Sequence, residues 1–326
     1  MSNTVSVAIA IYNGARFLSE TIRSLLAQSM RDFRLICVDD HSTDDSVAIA
    51  RSFGDERLSI TVAERHGSLP ENWNRAVQAS NSDYFVVAHQ DDVYEPRFLE
   101  RMLQVIETHP RAFAAHCRAT TIDENGNVIA HPAALFKDRF WPRDGLLERE
   151  PAEELAVLRR GNYVIAPSVI YRREATARIG LFDTHYRFVT DWEYSLRGLR
   201  AGYQLIGVPE ALVCFRRHEE TATRDSERTL LRYEEELELL SSLPPAPRAF
   251  EPLENNLLAD FAQRLAERDH DAAAALARFA ERIPGSNRAS WMRAALRGGS
   301  FAGHALLAAR WAYLRMFRKR IIAAAR

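Results

Sequence analysis

Apolar runs and helical stripes alternate through the first hundred residues. Val5–Ile11 is apolar almost throughout and rich in β-branched side chains, the pattern of a strand buried on both faces. Asn13-Gly14 interrupts it, and Leu18, Ile22 and Leu25 then recur at helical spacing. The same logic predicts a strand over Arg34–Val38, a helix around Ser46–Phe53, a short strand over Leu58–Val62 and a helix over Asn72–Ala79. A further strand runs from Tyr84 to Ala88, and Pro96 opens another helical pattern. This β-α-β-α-β-α-β order predicts an α/β fold with a mostly parallel, mixed central sheet and crossover helices.

The middle of the chain is less regular. Phe113–Cys117 and Asn127–Ile129 read as strands joined through the turn Asp123-Glu-Asn-Gly126, and Leu135–Pro142 as an aromatic, basic loop. Tyr163–Tyr171 is strand-like but broken by Pro167. Asp191–Arg200 is helical, Gly202 closes it, and strands follow at Gln204–Val208 and Leu212–Arg216. From Asp225 the pattern is helical only. Leu230, Tyr233, Leu237 and Leu240 form one apolar stripe, Pro244-Pro245-Ala-Pro247 makes a sharp turn, and Leu253–Ile283 supplies one or two Ala-rich helices. The expected division is therefore an α/β domain over 1–224 and a helical extension over 225–326.

Length and composition agree with this division. A chain of 326 residues, 47% hydrophobic and 27% charged, suits one large globular domain with an appendage. The net charge of −1 conceals a strong polarity: residues 1–224 carry −4, residues 225–285 carry −6, and residues 286–326 carry +9 with no acidic group. In that basic tail Leu306, Tyr313, Leu314, Phe317 and Ile321 fall on one side of a helix. The tail therefore either lies peripherally on an anionic membrane surface, packs on the body, or forms a homodimer contact. Nucleic acid is a poor fit, because the body is acidic and carries no recognition module. Cys37, Cys117 and Cys214 lack metal-like spacing and suit reduced thiols in a cytoplasmic protein. No leader pattern appears at the start, and no apolar run is long enough to span a bilayer.

The candidate chemistry begins at Asp91-Asp92, where the strand Tyr84–Ala88 ends in carboxylates. Ligands of open α/β sheets bind at the carboxyl ends of strands. Oxygen donors there suit Mg²⁺ or Mn²⁺ carrying a diphosphate, and the alternative is that they cap the next helix.

Three segments extend the argument: Val5-Ser-Val-Ala-Ile-Ala-Ile-Tyr-Asn13, Arg34-Leu-Ile-Cys-Val-Asp-Asp-His-Ser-Thr43 and Gln90-Asp-Asp-Val-Tyr-Glu-Pro96. In this order and spacing the chain resembles a family 2 glycosyltransferase of the GT-A fold, over roughly residues 4–220. The resemblance implies that Ala10 and Tyr12 contact the base of a nucleotide sugar, with the tyrosine ring stacking on it, and that Asp40 accepts from the base or ribose. Arg65 and Asn74 fall in a further nucleotide-contacting region. Asp91 matches the family's metal-binding acid, while His89 stands where another aspartate is usual, which lowers the negative charge of the site. Thr190-Asp-Trp-Glu193 resembles the family's catalytic acidic motif, making Asp191 the general base and Glu193 its fallback or a helix support. Arg216-Arg217-His218 resembles a basic segment closing over the diphosphate, and His218 could instead bind the metal. Trp141, Arg143, Asn162 and Ser168 fall on the acceptor side.

The resemblance thus implies inverting transfer from a nucleotide-diphosphate sugar to the hydroxyl of a glycan or lipid-linked glycan acceptor. The setting it implies is bacterial surface polysaccharide synthesis (O-antigen, capsule or exopolysaccharide) at the inner face of the plasma membrane. Two rivals stand beside it. A catalytically impaired sugar-nucleotide-binding or scaffold protein is suggested by His89. A sugar nucleotidyltransferase would want a Gly-rich, basic phosphate loop, which Tyr12-Asn13-Gly14 does not supply.

Overall fold

The computed structural model describes residues 5–218 except 132, 133, 135, 136 and 143, residues 230–283 except 247, and eight scattered positions between 295 and 308. The chain divides into two compact units, Met1–Leu155 with Tyr163–Thr221, and Ala156–Asn162 with Ala222–Arg326.

The first unit is built on one sheet of eight strands. These are β1 (Val5–Ile11), β2 (Phe33–Asp39), β3 (Leu58–Val62), β4 (Tyr84–His89), β5 (Val93–Tyr94), β6 (Ala112–Ile122), β7 (Val169–Arg172) and β8 (Gln204–Arg216), in the order β3-β2-β1-β4-β7-β6-β8-β5. The pairs β1–β2, β1–β4, β2–β3 and β6–β8 are parallel, and the pairs made by β7 and β5 are antiparallel. The crossover helices are α1 (Ala15–Leu26), α2 (Ser46–Ser52), α3 (Leu69–Ala79) and α4 (Phe98–Thr108), followed by α5 (Pro151–Leu158), α6 (Arg173–Ile179) and α7 (Thr190–Arg200). Val5, Val7 and Ile9 of β1 are fully buried and share a core with Leu18, Ile22 and Leu25 of α1 and Phe33 and Leu35 of β2. This is why the hydrophobic run of β1 is continuous rather than alternating.

The expected strands and helices of the first ninety residues all appear, with ends shifted by a few residues. Three differences have clear causes. The pair Val93–Tyr94 is too short to carry a period, and it forms β5 because β8 offers an edge opposite Cys214 and Val213. Pro96 precedes α4 rather than opening it, since Phe98 is the first helical residue. The two strands expected over Gln204–Val208 and Leu212–Arg216 are one, β8, whose register against β6 slips around Cys117–Ala119 to accommodate exposed Glu210 and Ala211.

In the second unit, α8 (Leu231–Ser242), α9 (Glu251–Ala266) and α10 (His270–Arg282) bury the expected stripe of Tyr233, Leu237 and Leu240 together with Leu257, Phe261 and Leu276. Asp269 caps α10 by accepting from the Ala272 N–H at 3.0 Å. The basic amphipathic pattern expected over 306–321 and the expected boundary at 224/225 lie outside the described residues.

Candidate active site

The parallel arrangement of β1, β2 and β4 brings their carboxyl ends together, and most of the candidate residues gather there. Ala10 pairs with Val38 and His89 in register, so the ends of the three strands are level. Beyond β1 the chain turns at Asn13, whose positive φ of 49° is stabilised by its side chain. Its Oδ1 accepts from the Thr43 N–H at 2.9 Å. Tyr12 emerges from this turn with 41% of its surface exposed, the most accessible aromatic side chain at the strand ends.

Asp39 and Asp40, at the end of β2, are both buried but serve different neighbours. Asp39 accepts from the Ser42 N–H at 2.9 Å and so closes the turn after β2. Asp40 reaches across to the segment before α3. Its two oxygens accept from the Gly67 N–H at 3.1 and 3.0 Å and from Arg75, and Oδ2 lies 2.8 Å from His66 Nδ1 in an ion-pair contact. The His66 ring in turn lies flat on Tyr12, with centroids 3.9 Å apart and planes inclined by 21°. The segment is fixed from the other side by Glu71, which accepts from the Ser68 N–H at 2.6 Å at the start of α3.

The loop after β4 holds the acids. Gln90 folds back, accepting from the Tyr12 N–H at 2.8 Å and donating to the Tyr12 carbonyl at 3.0 Å. Asp91 is 2.9 Å from His218 Nε2 at the end of β8. Asp92 is fully buried and accepts from the Arg216 N–H at 2.8 Å through one oxygen. Its other oxygen has no hydrogen-bond partner among the described residues, and neither has Nε2 of His89. Burial, and then the charge of Asp91, push the Asp92 carboxyl well above its ordinary range, against the pull of the Arg216 N–H. Burial pulls the His89 imidazole below its ordinary value, opposed by the carboxylates of Asp91 and Asp191.

His89, Asp91 and Asp92 each offer a ligand atom, and these atoms lie within 4.8 Å of one another. Two buried polar atoms lacking partners beside a half-buried carboxylate are what a divalent cation would satisfy, so the residues present fit one. Asp91 supplies the accessible oxygen, and His218, placed against it, completes the side chains expected to hold metal.

Asp191 lies in the first turn of α7. The helix is not capped by its side chain in the usual way, because Val189 is the N-cap; instead, Asp191 Oδ1 accepts from the adjacent Trp192 N–H at 2.9 Å. Its charge, like that of Asp91, opposes the lowering of the His89 imidazole. Glu193 has a different task. It forms a two-pronged pair with Arg197 at 2.8 Å, and Arg197 also donates to the carbonyls of Ile179 and Leu181. Glu193 is therefore held as a brace along the helix.

Two expected nucleotide contacts, Arg216 and Asn74, have other partners in the structure. Arg216 is buried with its guanidinium turned inward, donating to the carbonyls of Asp91, Asp123 and Glu124 and to Glu20 at 2.6 Å. A cation so fully engaged with protein oxygens braces the acidic loop, and in this conformation it does not face a diphosphate. Asn74 donates to the Phe182 carbonyl and accepts from the Phe182 N–H, both at 2.9 Å, which ties α3 to the segment before α7. Arg65 is exposed on the loop beside His66. On the acceptor side, Trp141 packs against His116 at 5.1 Å, Ser168 is buried and donates to the Ile165 carbonyl, and Arg143 lies outside the described residues.

Sequence reasoning did not single out Gln90, His66 or Arg75. The signal the sequence holds for this segment is the capping pattern Ser68-Leu-Pro-Glu71, which marks a defined turn just before α3.

Comparison with known proteins gives the same picture. A family model described as glycosyl transferase family 2 matches residues 6–180, more than half of the chain. An uncharacterized glycosyltransferase of Rickettsia typhi is 26% identical over 235 residues, covering 72% of this chain and 70% of that one. Among solved structures, S. aureus TarS 1–349 in complex with UDP superposes with a TM-score of 0.59 at 16% identity, over 93% of this chain and 88% of that one. The mannosyltransferase PcManGT from Pyrobaculum calidifontis, in complex with GDP-Man and Mn²⁺, gives 0.55 at 18% identity, over 96% and 88%. Sheet order, acidic loop and family match agree, and the chain belongs to glycosyl transferase family 2.

Proposed function

We propose that the protein transfers a sugar, with inversion at the anomeric carbon, from a nucleotide-diphosphate sugar to an acceptor hydroxyl. The observation that carries this reading is the cluster of His89, Asp91 and Asp92, with ligand atoms within 4.8 Å of one another, beyond the strand ends that Tyr12 and Asp40 flank. Tyr12 offers a ring face to the base, and Asp40 offers a carboxylate beside it. Asp91, with His218 against it, would hold Mg²⁺ or Mn²⁺, which would supply neutralisation of the charge developing on the departing diphosphate. Asp191 takes the proton of the attacking hydroxyl, so that its oxygen bonds to the anomeric carbon as the diphosphate leaves. No covalent enzyme intermediate is needed. UDP in TarS and GDP-Man with Mn²⁺ in PcManGT support a nucleotide sugar and a divalent cation as the ligands.

We further infer, from the family's habits, a glycan or lipid-linked glycan acceptor in bacterial surface glycan synthesis, with the protein acting in the cytoplasm at the inner face of the plasma membrane. Among the described residues no helix is long and apolar enough to cross a membrane. Replacing Asp191 by Asn removes the base while keeping the shape of the side chain. We expect transfer to fall by at least a hundredfold, with nucleoside diphosphate affinity in isothermal titration within twofold of the native protein. Undiminished transfer by Asp191→Asn excludes it as the base.

A further inference from the structure

The Tyr12 face and the Asp40 carboxylate, read above as the base subsite, are already engaged by a side chain of the protein itself. His66 is a planar heteroaromatic ring stacked on Tyr12 at 3.9 Å. Its Nδ1 is 2.8 Å from Asp40 Oδ2. These are the two positions a nucleobase would fill there: a ring face on the tyrosine and a ring nitrogen beside the aspartate. At 3.9 Å between centroids the stack leaves no room for a base between the rings, whose stacking needs a similar distance on each side.

The two anchoring partners of His66 differ in permanence. Asp40 is buried and also held by Gly67 and Arg75, whereas the His66 side chain is 51% exposed. Tyr12 is tied to Gln90 through both its backbone groups. The platform is therefore fixed, and the ring on top of it is the part free to leave toward solvent.

We propose that His66 is an internal surrogate for the nucleobase, which the donor nucleotide displaces on binding. This rests on the donor-site reading above. The exchange is nearly even only for a base that reproduces both contacts. Uracil, thymine and guanine present a ring N–H on the edge opposite the sugar, whereas cytosine and adenine present an unprotonated ring nitrogen there and could donate only from an exocyclic amine to one side of it. The site thus prefers uridine, thymidine or guanosine diphosphate sugars to those of cytidine and adenosine. A subsite closed by its own side chain also weakens every ligand by the fraction of time it stands open.

Isothermal titration of the full chain with the five nucleoside diphosphates and MnCl₂ tests this, with His66→Ala as the comparison. Removing the surrogate should tighten the best ligand by about tenfold, the factor expected when the open state is populated at roughly a tenth. That ligand should be the uridine, thymidine or guanosine diphosphate. In the native protein the His66 ring protons, shielded by Tyr12, should shift downfield in NMR spectra as the nucleotide saturates. Equal or weaker binding by His66→Ala, a cytidine or adenosine diphosphate as the best ligand, or an unmoved His66 signal overturns the surrogate role and leaves the donor site standing. If neither protein binds any of the five, the donor-site reading fails together with it.

Discussion

Gln90 joins two parts of the site that the chain keeps 78 residues apart. Its amide extends the pairing of β1 and β4 by one more rung, donating and accepting with the Tyr12 backbone as a third strand residue would. The fit depends on Gly14, where an added Cβ would lie 2.3 Å from Gln90 Oε1. Two such hydrogen bonds contribute about 1 kcal/mol each. Losing both should let Tyr12 drift from its place and weaken nucleotide binding by roughly tenfold. Gln90→Leu should therefore raise the Kd for the nucleoside diphosphate by that factor while leaving kcat at saturating donor within about threefold. A fall in kcat with unchanged affinity would place Gln90 in the chemistry instead. Arg216 illustrates the same point from the other direction. Its type and position suggested phosphate contact, yet five oxygens of the protein claim it, one of them through its backbone N–H. Residue type and spacing mark a neighbourhood, and only three-dimensional partners assign the task within it.

At the scale of elements, legibility follows burial. β1, β2 and β4 are buried on both faces, so their sequences are continuous apolar runs that could be read directly. Short β5 is held by tertiary pairing rather than by its own pattern, and the bend in β8 disguised one strand as two. The loop before α3 was illegible for a different reason. His66 and Arg75 matter through Asp40, a partner in another element, and no local period records that. β6 carries a further surprise in His116, a fully buried imidazole with neither nitrogen paired among the described residues. It is packed against Trp141 and Tyr163. Burial, then the nearby charges of Lys137 and Arg149, pull it from its ordinary 6.5 down to about 3. The unfolded chain thus takes up a proton below pH 6.5 that the folded protein refuses until about pH 3. Its contribution is intact above pH 6.5 and is lost as the pH falls through that window, at about 1.4 kcal/mol per pH unit. Urea unfolding at pH 7 and pH 5 should show the native protein losing about 2 kcal/mol more than His116→Leu over that interval. Equal losses in the two proteins would show that His116 is protonated without cost.

For the whole molecule, the first unit by itself contains the candidate site, from Tyr12 to His218. Its acids, its aromatic platform and its bracing arginine come from five separate segments, gathered because parallel strands put their carboxyl ends on one side. The charge polarity of the chain is a separate feature, since its +9 segment lies beyond residue 285. The central claim is that a nucleotide-diphosphate sugar is cleaved between the sugar and the diphosphate. Incubating the purified chain with Mn²⁺ and a panel of nucleotide sugars, and identifying the released nucleotide by ³¹P NMR, tests it most directly. The account predicts slow release of the nucleoside diphosphate from one donor, lost in Asp191→Asn. Release of a nucleoside monophosphate with sugar 1-phosphate, or no release from any donor, would contradict it.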